Sequence, residues 1–186
     1  MFNSDFDKIV ELTEYVAKRL EGVKTVKVVT EAGTNLVMPI EGRMIIPSTG
    51  VLREKGQSGN MPSGETYLAP IEGKSNGTLV IDGSMAGIGV IKTPIKVEIR
   101  DGYAEEITGG EEAQRLIAML DKNGREARAV AEFGIGTNYK AILSGQILED
   151  EKVLGTIHVA FGNNLTMGGS IAVNSHLDGL VKSPDV

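Results

Sequence analysis

The sequence predicts an α+β domain, mainly antiparallel, with a twisted sheet and two to three helices; barrel-like closure is one form that sheet could take. Three observations carry this. The hydrophobic spacing changes from a helical to a two-residue period at Val23, Asp101-Gly102 is a strong hairpin turn, and 24 of the 186 residues are glycine, roughly twice the usual share of ~7%.

The elements follow in order. Phe6, Ile9, Val10, Thr13, Val16, Ala17 and Leu20 share one face of a helix over residues 4–21. Ser4-Asp5-Phe6-Asp7 reads as a capping box, and Gly22 stands just past the helix end. Residues 23–30 are β-branched and partly alternating, and Glu31-Ala32-Gly33-Thr34-Asn35 turns them back into a second strand over 35–40. Further strands are expected at 66–69, 78–82, 95–100 and 103–108. A second helix is expected over 110–123, with Ala113, Leu116, Ile117 and Leu120 on one face. Residues 125–186 read as strand and loop interrupted by glycine, with one short helix near 145–152.

Composition narrows the function. Apolar residues are 41% and charged residues 24%, an ordinary globular mix, and no repeat or linker divides the chain, so residues 1–186 are expected to form a single domain. With 19 Lys+Arg against 25 Asp+Glu the net charge is -6, which speaks against nucleic acid as a partner. Cysteine is absent, which excludes disulfides, thiol nucleophiles, zinc fingers and iron–sulfur sites. The N-terminus is acidic where a signal peptide is basic, and no run approaches the ~20 apolar residues of a membrane span. A cytoplasmic protein without a membrane partner is the expectation.

Chemistry can gather at few places. The two histidines are His158, in Thr156-Ile157-His158-Val159-Ala160-Phe161-Gly162, and His176, in His176-Leu177-Asp178. In a strand His176 and Asp178 share a face, so the carboxylate can orient the imidazole or join it on a cation. Glu65 closes the turn-rich Gly59-Asn60-Met61-Pro62-Ser63-Gly64, a setting that taken locally favours a surface loop with a solvated carboxylate. Glu132 lies in the apolar, glycine-rich run 129–138, where a carboxylate must be paired, metal-bound or protonated. Glu65, Glu132, His158, His176 and Asp178 together form an O/N donor set suited to Zn, Co, Mn or Fe. Five such donors can hold two ions ~3.5–4 Å apart, as in aminopeptidases.

At these motifs the chain resembles the C-terminal region of the thermophilic metallo-aminopeptidases, the aminopeptidase T type of leucyl aminopeptidase, in a divergent branch. The resemblance runs through Asn60-Met61-Pro62-Ser63-Gly64-Glu65, the Glu132 segment, His158-Val159-Ala160-Phe161-Gly162 and His176-Leu177-Asp178, and includes Gly33-Thr34-Asn35 and Ile40-Glu41-Gly42-Arg43. It implies a dinuclear Zn, Co or Mn site on Glu65, Glu132, His158, His176 and Asp178. It also implies Glu132 or Glu65 as general base, release of an N-terminal residue from a peptide, and a homodimer. Two departures stand out: Leu165 occupies the place of a family Tyr, and the family's N-terminal domain has no counterpart in these residues.

Three functions follow. The first is a metal-dependent hydrolase of the metallopeptidase kind. The second is a mononuclear Fe(II) dioxygenase-like enzyme acting on a small molecule, because His158, His176 and Asp178 also make a two-His-one-carboxylate set and ring-opening dihydroxypyridine dioxygenases look like relatives of the same fold. The third is a non-catalytic metal-binding or dimerisation domain. Metal content separates them: two ions, one iron, or none.

Overall fold

Some apolar runs in this sequence alternate and others are continuous, which calls for one sheet with a wet face and one sheet buried on both sides. The computed structural model, which describes residues 6–186, contains both. Among the described residues there are three α-helices, two 3-10 turns and twelve strands. In chain order these strands are β1 (Thr25–Val29), β2 (Asn35–Pro39), β3 (Ile46–Ser48), β4 (Glu65–Leu68), β5 (Asn76–Ile81) and β6 (Ser84–Met85). They continue as β7 (Gly89–Val90), β8 (Ile95–Arg100), β9 (Tyr103–Thr108), β10 (Val130–Gly136), β11 (Thr156–Gly162) and β12 (His176–Lys182).

The first sheet has the order β1-β2-β5-β8-β9 and the second β3-β4-β10-β11-β12-β6-β7, with every pairing antiparallel. Both are open, so the barrel-like form is corrected: the strands are divided between two sheets that share one core. Val26, Val28, Leu36, Met38, Ile95, Val97 and Ile99 bring one face of the first sheet to that core. Leu68, Phe133, Ile157, Val159, Phe161 and Val181 bring one face of the second.

Helix α1 (Phe6–Leu20) and helix α2 (Glu111–Asp121) fall within the expected spans, and α3 (Ile147–Asp150) is the short helix. Ser4 and Asp5 of the expected capping box lie outside the described residues. Helix α1 packs beside β3 and β4. There Thr66 Oγ1 donates to the Thr13 carbonyl at 2.9 Å, and the Thr13 and Thr137 hydroxyls lie 2.6 Å apart. None of the described helices is long and apolar enough to cross a membrane.

What positions the site is the second sheet. In β11, Ile157, Val159 and Phe161 face the core, which leaves Thr156, His158 and Ala160 on the opposite face. A bulge between Val130 and Glu132 lets both Val130 and Phe133 reach the core, and so turns Glu132 and Gly134 toward the His158 face.

Candidate metal centre

Strands β4, β10, β11 and β12 place their functional residues in rows across one face. Tyr67 pairs with Gly134, Gly134 with His158, and Glu65 with Gly136. One row along, Glu132 pairs with Ala160 and Ala160 with Asp178. Small residues alternate with functional ones, so each large side chain lies over a neighbour that leaves room. Gly134 is the sharpest case: a Cβ there would stand 2.1 Å from His158 Nε2. Gly136 likewise admits the backbone of Lys152 and Val153, since its Cβ would stand 2.1 Å from the Val153 carbonyl oxygen.

The five residues proposed from the sequence are brought to one place. Nε2 of His158 is 3.1 Å from Glu132 Oε1, and Nε2 of His176 is 3.0 Å from Glu132 Oε2, so one carboxylate spans the two imidazoles. Asp178 Oδ1 is 3.4 Å from His176 Nε2, which realises the shared strand face of His176 and Asp178. His176 Nδ1 donates to the Asn163 carbonyl at 2.7 Å, fixing the ring and leaving Nε2 for the carboxylates. Glu65 lies on the far side of His158, with Oε2 3.6 Å from Nε2. Leu165 sits in a 3-10 turn, half exposed, and is not part of the lining.

Two residues that sequence reasoning missed complete the cluster. Lys152 is fully buried, with Nζ 2.7 Å from Glu65 Oε1 and also donating to Glu151 Oε1. In the sequence Glu149-Asp150-Glu151-Lys152 looks like a solvated helix end. The available signal was Gly136, whose missing side chain makes room for that segment. Ligand atoms of Glu132, His176 and Asp178 lie within 4.8 Å of one another, as do those of Glu65, Glu151 and His158, so each group could hold a metal ion. The donors are imidazole nitrogen and carboxylate oxygen throughout, which fits a divalent zinc, iron, manganese or cobalt ion.

Electrostatics follow from burial and pairing. Burial alone would lower the His158 imidazole, but its bond to Glu132 and the charges of Glu132, Glu65 and Glu151 outweigh this and hold it up to about 9. Burial opposes charge on His176 too, yet bonds to Asp178 and Glu132 raise it to about 11. Glu132 is pushed up by burial and pulled further down by both imidazoles, to about 2. Burial raises Tyr67 to about 12, helped by the neighbouring carboxylates, so its phenol keeps its proton. Glu151 is raised by burial to about 7.

These groups open on a pocket of about 560 Å³. Glu65, Tyr67, Glu132, Glu151, His176 and Asp178 form its chemical side, and Ile147, Leu148, Met167 and Val173 an apolar wall. Asn60, Asn163, Asn174 and Ser175 add neutral polar groups, and among the described residues no Lys or Arg lines it.

Comparisons with known proteins bear on what this pocket does. The sequence profile of the family described as 2,5-dihydroxypyridine 5,6-dioxygenase (NicX) matches residues 6–183. The chain is 25% identical to the 2,5-dihydroxypyridine 5,6-dioxygenase of Pseudomonas putida KT2440, over 90% of this chain and 51% of that protein. The solved structure of the Pseudomonas putida KT2440 2,5-dihydroxypyridine dioxygenase superposes with a TM-score of 0.87 at 23% identity, covering 98% of this chain and 56% of that one. Wild-type AmpT from Thermus thermophilus superposes with a TM-score of 0.69 at 21% identity, covering 91% of this chain and 45% of that one. The chain thus spans about half the length of the relatives it matches. The aminopeptidase T resemblance is corrected by these findings, and with it the reading of the chain as a hydrolase, aminopeptidase or metalloprotease: the family evidence is for a dioxygenase, an oxidoreductase. The physical reason is that the motifs behind the resemblance build a sheet face of imidazoles and carboxylates, and a fold of this kind is common to both solved structures.

Proposed function

The chain belongs to the 2,5-dihydroxypyridine 5,6-dioxygenase family, whose profile matches residues 6–183, and from that premise we propose a mononuclear Fe(II) dioxygenase-like enzyme that opens a hydroxylated nitrogen-heteroaromatic ring. One observation carries the proposal: the Nε2 atoms of His158 and His176 face a single carboxylate, Glu132, with Asp178 beside His176, and Glu132, His176 and Asp178 line one pocket. His158, His176 and Asp178 would hold the metal as a two-His-one-carboxylate set. Iron bound there would supply the one-electron chemistry that lets dioxygen react with a closed-shell ring.

The chain's own residues have defined tasks. The Asn163 carbonyl fixes the tautomer and tilt of His176. Without a metal Glu132 spans the two Nε2 atoms through its two oxygens; on ligating a metal those nitrogens would give up their protons, with the Glu132 carboxylate left beside the ion. The wall of Ile147, Leu148, Met167 and Val173 suits the faces of a planar ring, and the amides of Asn60 and Asn174 suit its hydroxyl and ring-nitrogen edges. With no cation in the lining among the described residues, a neutral hydroxylated ring is favoured over a ligand carrying a free carboxylate or phosphate. Tyr67 keeps its proton and can donate it in a hydrogen bond. Glu151, held at about 7, can accept the proton that a ring hydroxyl gives up on binding.

The test is anaerobic loading of the chain with Fe(II), addition of 2,5-dihydroxypyridine, and admission of oxygen at an electrode while ring absorbance is followed. Matched loss of dioxygen and ring is expected. Iron-loaded chain that consumes no oxygen would refute the proposal.

A further inference from the structure

We propose that Lys152 is a built-in cation that stands where a second metal would bind and so limits this centre to one metal ion. The inference rests on the one-metal reading above and deepens it. Two donor groups adjoin where His158 Nε2 approaches Glu132 at 3.1 Å, Glu65 with Glu151 and His158 on one side and Glu132 with His176 and Asp178 on the other, and either could hold an ion on geometry alone. The group of Glu65, Glu151 and His158 already has its positive charge. The Lys152 ammonium, fully buried, takes Oε1 of Glu65 and Oε1 of Glu151, one oxygen of each carboxylate in that group. A metal placed there would face the ammonium at close range in a medium of low polarity, where repulsion is screened little.

The fold gives Lys152 little freedom to withdraw. The Asn138 N–H donates to its carbonyl at 2.8 Å, and its own N–H donates to the Glu149 carbonyl at 3.0 Å. Gly136 lets this segment lie against β10, with a hypothetical Cβ 2.9 Å from the Lys152 carbonyl carbon. Charge agrees with placement. Glu65, Glu132, Glu151 and Asp178 are balanced to within one charge by Lys152 and a single divalent ion; without the ammonium, two divalent ions would balance them completely. Glu65 Oε2 has no hydrogen-bond partner among the described residues, so the rival arrangement, with Glu65 as a ligand, must be tested directly.

The experiment counts Mn²⁺ per chain by native mass spectrometry, with electron paramagnetic resonance to show whether two bound ions are coupled. Wild type is expected to saturate at one ion, Lys152→Met at two coupled ions, and Lys152→Arg at one. Glu65→Gln is expected to keep one ion, because Glu65 is bound to the ammonium rather than the metal; this folded variant and the wild-type count decide the matter if Lys152→Met does not fold. Two ions on wild type or Lys152→Arg, a single ion on folded Lys152→Met, or none on Glu65→Gln would overturn the inference. No ion on wild type would instead overturn the one-metal reading beneath it.

Discussion

Replacing Gly134 by Ala asks whether His158 is positioned by the absence of a side chain on the adjacent strand. Gly134 pairs directly with His158, and its backbone lies outside the left-handed region, so alanine can adopt it. The new Cβ would stand 2.1 Å from Nε2 and 2.2 Å from Cε1, whereas ordinary contact begins at 3.4 Å. The ring must therefore retreat from 2.1 to 3.4 Å, by about 1.3 Å, which is enough to break its 3.1 Å approach to Glu132. Overpacking of this kind costs about 1–3 kcal/mol, and the stiffer unfolded chain returns about 0.4–1 kcal/mol, so the domain should lose only about 1–2 kcal/mol. Metal binding should suffer far more. A displacement of about 1 Å at a functional group costs on the order of 100-fold, and metal affinity is expected to fall at least that far. Titration against a chromophoric chelator, beside a thermal melt, measures both. A folded Gly134→Ala protein with wild-type metal affinity would refute the reasoning.

His176→Ala should abolish metal retention while circular dichroism stays near that of wild type, because His176 lies at the end of β12 and is only partly buried. Metal binding must displace imidazole protons held up to about 9 on His158 and about 11 on His176; affinity should therefore climb from pH 6 to 9, with proton release visible as a buffer-dependent heat in calorimetry. The metal-free protein has its own pH window. Glu132, lowered to about 2 from 4.5, adds stability that is fully present above 4.5 and lost as pH falls toward 2. His158, raised to about 9 from 6.5, adds stability that is fully present below 6.5 and lost as pH rises through 9. Glu151, raised to about 7 from 4.5, removes stability as pH rises from 4.5 through 7, so melting temperature should be highest near pH 4.5 and fall above it. Asn164→Ala should cost about 1–3 kcal/mol and expose residues 163–175 to limited proteolysis. Buried Asn164 donates to Glu72 at 3.0 Å and accepts from the Ile171 N–H at 2.8 Å, and Glu72 also accepts from Ser170 and Arg43.

Local pattern carried most of the fold. The helical stripe from Phe6 to Leu20 and the Asp101-Gly102 turn are short-range signals, and both elements stand where those signals put them. Strands β10, β11 and β12 were legible only as glycine-interrupted strand, because they are buried over most of their length and carry no alternation to count. His176 and Asp178 were readable as a pair, since two residues along a strand fix a shared face. Glu132 was readable as a buried carboxylate in need of partners, though not as one shared by both histidines, which depends on a bulge in β10. Lys152 and Glu151 were not readable at all. A charged run beside a short helix normally faces water, and what buries this one is the absent side chain of Gly136, sixteen positions upstream. The aminopeptidase reading failed for a related reason: motif order reports the shared sheet face, while the chemistry also depends on neighbours that no motif contains.

The most direct test is a crystal grown anaerobically with Fe(II) and measured at the iron absorption edge. The account predicts one anomalous peak, bounded by His158 Nε2, His176 Nε2 and the Asp178 carboxylate, with Lys152 still joined to Glu65 and Glu151. Two peaks, or a single peak between Glu65 and Glu151 with the ammonium displaced, would contradict it.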